Sequence, residues 1–484
     1  MANSKQKQWA TSGIDLFLDL NPVSGPRLRA RIENGLREAI RTGRLPRGTR
    51  LPPTRALAQD LGVSRGTLLE VYAQLTAEGW IGGRQGSSTF VVFEAEPSHR
   101  ATPIRSPSPV RWRFDLRPGR PDPSSFPRTE WLRALRRALT GAPNEAFGYG
   151  NPQGQVSLRS ELAGYLSRAR GLHAVAEDLV ITSGFTQGLG LVARSLADVG
   201  GRRVAMEEPS MALHRSIVRA AGHELTLIGV DGDGMRVEEL EGRRDIGMVV
   251  LTPNRQHPTG VTLSAPRRSR LLAWARANRT LVVEDDYDGE FRYDRRPIGP
   301  LQGLDPGVVV HAGTASKTLA PGVRLGWLVL PESLRQGVVH QKELADWHSS
   351  ALEQLALAEM LRTGAYDRHI RRMRLRYRHR RDALILALTK RYPNLALTGI
   401  EAGLNLLIPV SDAQVETRAI AATSAVGVGL DGLATGGYYE QPGPAGLLVG
   451  YGAATQHMFR AACETLVSAL SDVLAKRPLR AKDA

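Results

Sequence analysis

The chain has 484 residues and a formal net charge of +16; its 42% hydrophobic and 23% charged residues are typical of a globular protein, and its length predicts at least two domains. One cysteine, Cys463, excludes an internal disulfide framework and fits the reducing cytoplasm. No run approaches ~18 apolar residues and the opening MANSKQKQWATSG lacks a signal peptide's apolar core, so we expect neither a membrane-spanning nor a secreted protein.

The positive charge is concentrated near the beginning of the chain. Residues 1–113 contain 17 Lys or Arg and 9 Asp or Glu, a balance of +8, so half of the total excess lies in less than a quarter of the sequence. This asymmetry favours an N-terminal module that binds a polyanion. A basic composition would equally suit a solvated surface, so charge alone leaves both interpretations open.

Three helices are predicted in this module. The first ends at Gly43 and carries four apolar residues spaced by four positions: Leu28, Ile32, Leu36 and Ile40. A short second helix over residues 55–61 ends at Gly62, and Ser64 is the candidate N-cap of a third helix. The buried face of that third helix is predicted to hold Leu68, Tyr72 and Leu75. Two helices joined by a short glycine-containing turn are typical of a helix-turn-helix.

The segment WIGGRQGSSTFV, residues 80–91, predicts two short strands around a tip of small residues, which is a wing. Hydroxyl, amide and guanidinium groups suit contacts with phosphates and base edges. The candidate DNA-binding residues are those exposed on the two helices and the wing: Arg55, Ser64, Arg65, Thr67, Arg84, Gln85 and Ser87.

The stretch LPRGTRLPPTRALAQDLGVSRGTLLEVYAQLTAEGW, followed by RQGSSTFV, resembles the GntR-type winged helix. The wing departs slightly from that pattern, with Gln85 and Ser88 where proline and glycine are usual. The resemblance implies a mostly α-helical winged helix-turn-helix with a small β wing, over residues 1–93, whose partner is double-stranded promoter DNA.

Residues 94–113, EAEPSHRATPIRSPSPVRWR, are predicted to be a linker between two domains. They contain four prolines and several serines and show little periodicity, which favours an extended segment over a packed one.

Residues 114–484 alternate apolar runs with helical stretches, which indicates a mostly parallel α/β sheet. The predicted strands are LVITSG, RRVAMEEPS, IGMVVLTPN, TLVVEDDYD, VVVHAGTASK and GWLVL. In such sheets the functional site forms beyond the carboxyl ends of the strands. The polar residues that end these runs are therefore the candidates for a functional site.

Four motifs stand at those ends. Residues 183–187 lead from a strand into a helix and could cradle a phosphate, and residues 284–288 contain a cluster of acids. Lys317 ends another strand, seven residues before Arg324. Residues 252–260 form a proline-rich turn. Each has a plain structural interpretation when taken alone: a metal site or ion pairs for the acids, an exposed cation for the lysine, and a loop for the turn.

Taken together, in order and spacing, these motifs resemble the fold-type I aminotransferases over nearly all of residues 114–475. With the GntR-like head, the chain resembles the MocR/GabR type of transcriptional regulator. This implies a C-terminal α/β pyridoxal 5′-phosphate (PLP)-dependent transferase fold, with large and small subdomains, over residues 114–484. Lys317 matches the lysine that carries PLP as a Schiff base, Asp285 the carboxylate at the ring nitrogen, and Tyr287 the phenol at the 3-oxygen.

The resemblance also implies the groups that hold the cofactor phosphate: Thr186, Gln187, Thr314 and Arg324. Tyr149, in the segment FGYGNP, resembles the tyrosine that reaches the phosphate of the partner subunit. A homodimer of head-to-tail arrangement is thereby implied.

Departures from the aminotransferase pattern bear on function. Met211 stands where an aromatic ring usually covers the cofactor, His257 where the turn usually has asparagine, and Arg255 where these regulators commonly have histidine. Leu448 replaces the arginine that clamps a substrate carboxylate, so the usual grip on an α-amino acid is missing. The candidates for an effector pocket are Arg255, Arg215, His214 and Asn405.

An arginine-rich run spans residues 371–381 and fits no single helical face. A solvated helix surface explains the run, and a second patch that contacts DNA is the alternative.

The residues and the resemblance favour a PLP-dependent DNA-binding transcriptional regulator. It would sense an amine or amino-acid-like effector, or PLP itself, through the Schiff base at Lys317, and shift its DNA-binding heads between two arrangements. The alternative is a catalytically active aminotransferase with an appended DNA-binding domain, because the retained residues suffice for Schiff-base chemistry: Lys317, Asp285, Tyr287 and Arg324. Enzymatic turnover is therefore left open, and no metal site is expected.

Overall fold

The structure is a computed structural model that describes residues 28–83, 88–94, 111–198, 203–293 and 298–474. The chain falls into two compact units that divide between residues 110 and 111. Most of the predicted linker, residues 95–110, lies outside the described ranges. Within those ranges, no helix combines the length and apolar character needed to cross a bilayer.

The N-terminal unit consists of three helices followed by a small antiparallel ribbon. Its elements are α1 (Leu28–Arg41), α2 (Thr54–Leu61), α3 (Arg65–Ala77), β1 (Ile81–Gly82) and β2 (Phe90–Val91). The three predicted helices are confirmed, although α2 begins one residue earlier than expected. Their apolar faces form one core with the ribbon, and Leu68, Tyr72 and Leu75 are buried in it.

The turn between α2 and α3 is fixed at both ends by caps. Gly62 adopts a left-handed φ of 67°, and its amide bonds back to the last turn of α2. The Ser64 hydroxyl accepts a hydrogen bond from the Thr67 amide at 3.1 Å, as an N-cap does. The wing candidates Arg84, Gln85 and Ser87 lie outside the described residues.

The large part of the C-terminal unit is built on an eight-stranded sheet. After the short strand β3 (Phe114–Asp115), its strands in chain order are β4 (Leu179–Thr182), β5 (Arg203–Glu208), β6 (Leu225–Asp231), β7 (Gly234–Met235), β8 (Ile246–Leu251), β9 (Leu281–Asp285), β10 (Val309–Thr314) and β11 (Gly326–Val329). The spatial order is β4-β11-β10-β9-β8-β5-β6-β7, and β7 and β11 run antiparallel to the rest. The six predicted strands are present; β6 and β7 were not predicted.

Helices cover both faces of this sheet. They are α4 (Arg128–Gly141), α5 (Val156–Arg170), α6 (Phe185–Asp198), α7 (Ala212–Ala220), α8 (Ala265–Asn278), α9 (Glu332–Asp346), α10 (Ala351–Arg362) and α11 (Ala365–Arg391). Alternate residues of one strand point to opposite faces of the sheet. Val204 and Met206 of β5 pack in one core cluster, and Ala205 packs in another. Burial on both sides explains the near-continuous apolar strands.

A smaller subdomain follows the large sheet. It contains β12 (Asn405–Pro409), α12 (Ala413–Ala425), β13 (Val428–Gly429), β14 (Asp431–Gly432), β15 (Gly446–Gly450), α13 (Phe459–Ala469) and α14 (Ser471–Leu474). Strands β12, β15 and β14 form an antiparallel sheet, and β13 pairs with β3, so the beginning of the unit is tied to its end. The C-terminal unit thus has the large and small subdomains that its sequence predicts.

Replacing Ser64 with alanine removes the acceptor of the Thr67 amide, so we expect the free energy for local opening of α3 to fall by about 1 kcal/mol. Amide hydrogen exchange over the first turn of α3 measures this change. The control is Thr76→Ala, because the Thr76 hydroxyl donates to a carbonyl of its own helix, that of Tyr72 at 2.7 Å, and caps no amide of the described chain. Equal exchange in Ser64→Ala and the unaltered chain would contradict a stabilising cap.

Candidate functional site

A cavity of about 400 Å³ lies beside the carboxyl ends of β5, β8, β9 and β10 in the C-terminal unit. Nine of the residues singled out in the sequence line it: Lys317, Asp285, Tyr287, Thr186, Thr314, Arg324, Met211, His257 and His214. They come together because parallel strands deliver the residues that follow them to one edge of the sheet.

Lys317 follows β10 and directs its amine into the cavity. Its Nζ donates a hydrogen bond to the carbonyl of Gly119 at 2.7 Å. Burial lowers the pKa of Lys317, while the nearby carboxyl groups of Asp285 and Asp288 act in the opposite direction. An amine whose charged form is disfavoured is closer to the neutral form that attacks a carbonyl carbon.

Asp285 ends β9 and lines the cavity. Its Oδ1 is buried and meets no hydrogen-bond donor among the described residues. Burial raises the pKa of Asp285 well above its usual range, and the charge of Lys317 only partly offsets this. The side chain therefore offers an acceptor for a donor that a ligand would bring, such as a protonated ring nitrogen.

Arg255 lies behind the cavity wall rather than in it. Its guanidinium donates to the Tyr287 hydroxyl at 2.9 Å, to Asp288 Oδ2 at 3.2 Å and to the Asn405 carbonyl at 2.7 Å. Arg255 and Asn405 are buried, and neither lines the cavity, although both were predicted as effector contacts. The Arg255 charge acts on Tyr287 and opposes the rise in the Tyr287 pKa that burial causes.

Two histidines line the cavity in neutral form. His257 packs edge-on against the rings of Tyr287 and Tyr438, with centroids 5.6 and 5.7 Å apart, and burial lowers its pKa to about 3. His214 packs edge-on against Phe185 at 4.8 Å, and burial lowers its pKa to about 4. Neither ring offers a positive charge to a ligand near neutral pH.

The turn between β4 and α6 forms a cradle with Arg324. Gly184 has a φ of 96°, and a Cβ added there would lie 3.2 Å from the Arg324 guanidinium, so the backbone and that side chain approach closely. Arg324 donates to the Ser183 carbonyl. Thr186 lies in the first turn of α6, where amide groups favour an anion.

Gln187, Arg215 and Tyr149 do not line this cavity. Gln187 accepts from the Ser183 amide at 2.7 Å and donates to Asp346 at 2.8 Å. Arg215 donates to the carbonyls of Ser210, Gly437 and Tyr438 at 2.6 to 2.8 Å. Tyr149 is 93% exposed.

Among the cavity residues that were not predicted from the sequence as parts of the site are Arg120, Glu207, Asp431 and Tyr438. Glu207 lies in β5 and accepts hydrogen bonds from the Thr252 amide at 2.9 Å and from its hydroxyl at 2.7 Å. Burial raises the pKa of Glu207 to about 7. An acid that directly follows the apolar residues 204–206 of a strand is a signal that could have marked Glu207.

Three of the four clustered acids of residues 284–288, all but Asp285, have protein partners. Glu284 accepts from the amides of residues 301 and 302 and faces His311, Asp286 pairs with Arg170 at 2.6 Å, and Asp288 pairs with Arg255. These contacts give the acids the ion pairs and donors that burial demands.

The arginine-rich run lies on α11 and is engaged mostly within the unit. Arg380 is buried and pairs with Asp122 at 2.8 Å. Other arginines of the run also form ion pairs with acids, and these pairs are Arg372 with Glu130, Arg374 with Glu290, Arg378 with Asp382 and Arg381 with Glu401. Arg371 is exposed.

In the N-terminal unit, Arg55 and Arg65 are exposed and form no ion pair with the described residues. Arg29, Arg37, Arg41 and Arg47 each pair with a glutamate instead. Ser64 and Thr67 share a hydroxyl contact of 2.9 Å at the cap. Unpaired guanidinium groups are therefore presented at the starts of α2 and α3.

Glu207 gives the C-terminal unit a pH-dependent stability. Because its pKa is about 7 in the folded chain and 4.5 ordinarily, the folded chain binds more protons between these values, and the Glu207 contribution to stability falls as pH rises through them. We expect Glu207→Gln to gain up to about 3 kcal/mol relative to the unaltered chain across this window.

The measurement is urea unfolding of both cofactor-free proteins from about pH 5 to about pH 8. Glu464→Gln, at an exposed side chain of α13, is the control and should show no such trend. A constant difference between Glu207→Gln and the unaltered chain over the window would contradict the raised pKa.

Comparison with protein families assigns both units. Residues 28–91 match the family described as bacterial regulatory proteins, gntR family, and residues 120–435 match aminotransferase class I and II. The second match covers more than half of the chain.

Relatives share the whole arrangement. The HTH-type transcriptional regulator YhdI of Bacillus subtilis is 32% identical over 471 residues, 95% of this chain and 99% of the relative. The probable rhizopine catabolism regulatory protein MocR of Rhizobium meliloti is 32% identical, covering 90% and 92%, and the pyridoxine biosynthesis regulator PdxR of Corynebacterium glutamicum is 32% identical, covering 81% and 86%.

Solved structures similar to this chain are aminotransferases. An archaeal alanine:glyoxylate aminotransferase has a TM-score of 0.68 and 28% identity, covering 75% of this chain and 92% of that one. Kynurenine aminotransferase from Pyrococcus horikoshii has a TM-score of 0.66 and 26% identity, covering 75% and 91%. The chain therefore belongs to the MocR-type family of transcriptional regulators, in which a GntR-type winged helix-turn-helix precedes a PLP-dependent, aminotransferase-like domain.

Proposed function

We propose that this regulator binds promoter DNA through residues 1–93 and senses a small amine, or PLP itself, in residues 114–484, with residues 94–113 as the linker. The observation that carries the proposal is one cavity holding the Lys317 amine, the unpartnered Asp285 carboxylate and the Gly184–Arg324 cradle. Such a set fits an aldehyde, a protonated ring nitrogen and a phosphate on one cofactor.

Different residues of the cavity would hold different parts of PLP. Bound PLP supplies an electrophilic carbon to which a primary amine adds. Lys317 Nζ would hold the cofactor covalently, Asp285 Oδ1 would accept from its ring nitrogen, and the Tyr287 hydroxyl would donate to its 3-oxygen. Thr186, Thr314, Arg324 and the amides at the start of α6 would hold the phosphate, and Met211 and His257 would pack against the ring.

A sensing role fits the cavity better than general transamination. Leu448 is fully buried in a cluster with Leu407, Leu433 and Tyr438, so the place of the carboxylate-clamping arginine is apolar. Arg255 and Arg215 do not replace it, because both guanidinium groups are committed to other partners. An amine can thus reach Lys317 without the grip that orients an α-amino acid for turnover.

A second copy of the chain completes the proposed assembly as a head-to-tail homodimer. Tyr149 is 93% exposed and touches Trp347 edge-on at 6.2 Å, and Trp347 is itself 52% exposed. Phe147 and Leu344, close to them in sequence, are 49% and 69% exposed. Exposed aromatic and aliphatic side chains of this kind are typical of a surface that a protein partner covers.

Lys317→Ala should abolish the covalent attachment of PLP. The unaltered protein mixed with PLP is expected to absorb at the violet edge of the visible spectrum, and the variant should lose that band because no buried amine remains in the cavity. Lys390→Ala, at an exposed position of α11, is the control and should keep the band. A colourless unaltered protein, or a Lys317→Ala protein with the full band, would refute the sensor half of the proposal.

Arg65→Ala should weaken DNA binding, because an unpaired guanidinium at the start of α3 is available to a phosphate. For a random-sequence duplex we expect the slope of log affinity against log salt to fall by about 1. Arg41→Ala removes an equal charge from an arginine paired with Glu38 at 2.7 Å and should leave the slope nearly unchanged. Equal slopes for the two variants would argue against α3 as the DNA-binding helix.

A further inference from the structure

The cavity wall beyond the cofactor groups carries an acid, Asp431. Asp431 of β14 is the direct cross-strand partner of Leu448 in β15. Directly opposed residues of an antiparallel pair project from the same face of the sheet. Asp431 lines the cavity, whereas Leu448 is fully buried in the neighbouring apolar cluster. The pair therefore presents a carboxylate at this end of the cavity and no guanidinium.

Asp431 lacks a close partner of its own. It forms neither a hydrogen bond nor an ion pair within 4 Å in the described part of the chain. The two arginines whose charges act on it, Arg117 and Arg120, are both paired with Asp115, at 2.8 and 3.3 Å. Burial raises the pKa of Asp431, while the charges of the two arginines act against the rise. A partly buried acid in this state gains from a cation supplied by a ligand.

The other residues that line the cavity offer few positive charges to bind an anionic group of a ligand. Apart from Lys317 and the Arg324 of the cradle, Arg120 is the one lysine or arginine among the described lining residues. Its side chain is 50% exposed and already paired with Asp115, so its attraction for a further carboxylate is screened by solvent and shared. His214 adds no charge, because burial holds its pKa near 4.

We propose that the effector is an amine that carries a second cationic group, such as an α,ω-diamine, and that Asp431 is the specificity-determining residue that binds the distal ammonium. The near amine reaches the Lys317 end of the cavity, and the distal ammonium lies between Asp431 and the Tyr438 ring. This inference rests on the proposed function of the cavity and specifies its ligand class.

Spectral titration of the PLP-loaded full chain tests the ligand class. The probes are α,ω-diamines of three to five carbons, the monoamine of each length, and the ω-amino acid of each length. At least one diamine should half-saturate at a concentration about tenfold or more below that of its monoamine, and the ω-amino acids should bind more weakly than the monoamines. Preference for the ω-amino acids, or diamines no better than monoamines, would overturn the proposal.

Variants assign the preference to a residue. Asp431→Asn should remove the diamine advantage, so that each diamine half-saturates within about twofold of its monoamine, whereas Asp382→Asn, an exposed acid on α11, should leave the advantage intact. A diamine preference that survives Asp431→Asn overturns the role of Asp431. Loss of an ω-amino acid preference in Arg120→Gln would show instead that Arg120 anchors a carboxylate. If the protein forms no coloured complex with PLP, the proposed function of the cavity is wrong, and this result is obtained before any amines are compared.

Discussion

Asp285 is a carboxylate buried at the end of β9, with one oxygen that no donor in the described chain reaches. An unsatisfied buried acid destabilises the fold unless a cation or a hydrogen-bond donor meets it. Lys317 supplies charge within the same cavity, and a protonated ring nitrogen would supply the missing donor directly. The stability of this edge of the sheet thus depends on whether a ligand donates to the unpaired oxygen of Asp285. Binding of such a ligand stabilises the folded chain by mass action.

The arginines around the cavity serve mainly to hold the protein together. Arg255 fixes Tyr287 and Asp288, Arg170 holds Asp286, and Arg215 binds three backbone carbonyls. Guanidinium groups suit this role because their planar array of donors satisfies several acceptors at once. Consequently a chain rich in arginine presents few free cations to a ligand. Beyond the groups that would hold the cofactor, the charged side chains of the cavity wall are Glu207, Asp431 and Arg120.

The sequence was sufficient to predict the elements whose signals are local. Ser64 and Gly62 are capping residues in any context, and the apolar runs before Asp285 and Lys317 reveal strands whose ends meet at one edge. The position of Arg255 could not be predicted, because its burial depends on Asp288 and Asn405, which are distant in sequence. Asp431 was missed because β14 has two residues and no periodicity, so only its register against Leu448 shows which way it faces.

The cavity lies between the two subdomains, which gives ligand binding a route to conformational change. Arg215 of α7 belongs to the large subdomain and grips the carbonyls of Gly437 and Tyr438 beside the small one, and the Ser210 amide donates to Tyr438 at 3.0 Å. Lys317 lies on the large side of the cavity and Asp431 on the small side. A ligand that contacts both residues binds more tightly when the subdomains are at the right separation, and this difference in affinity is what allows it to shift the population of conformations.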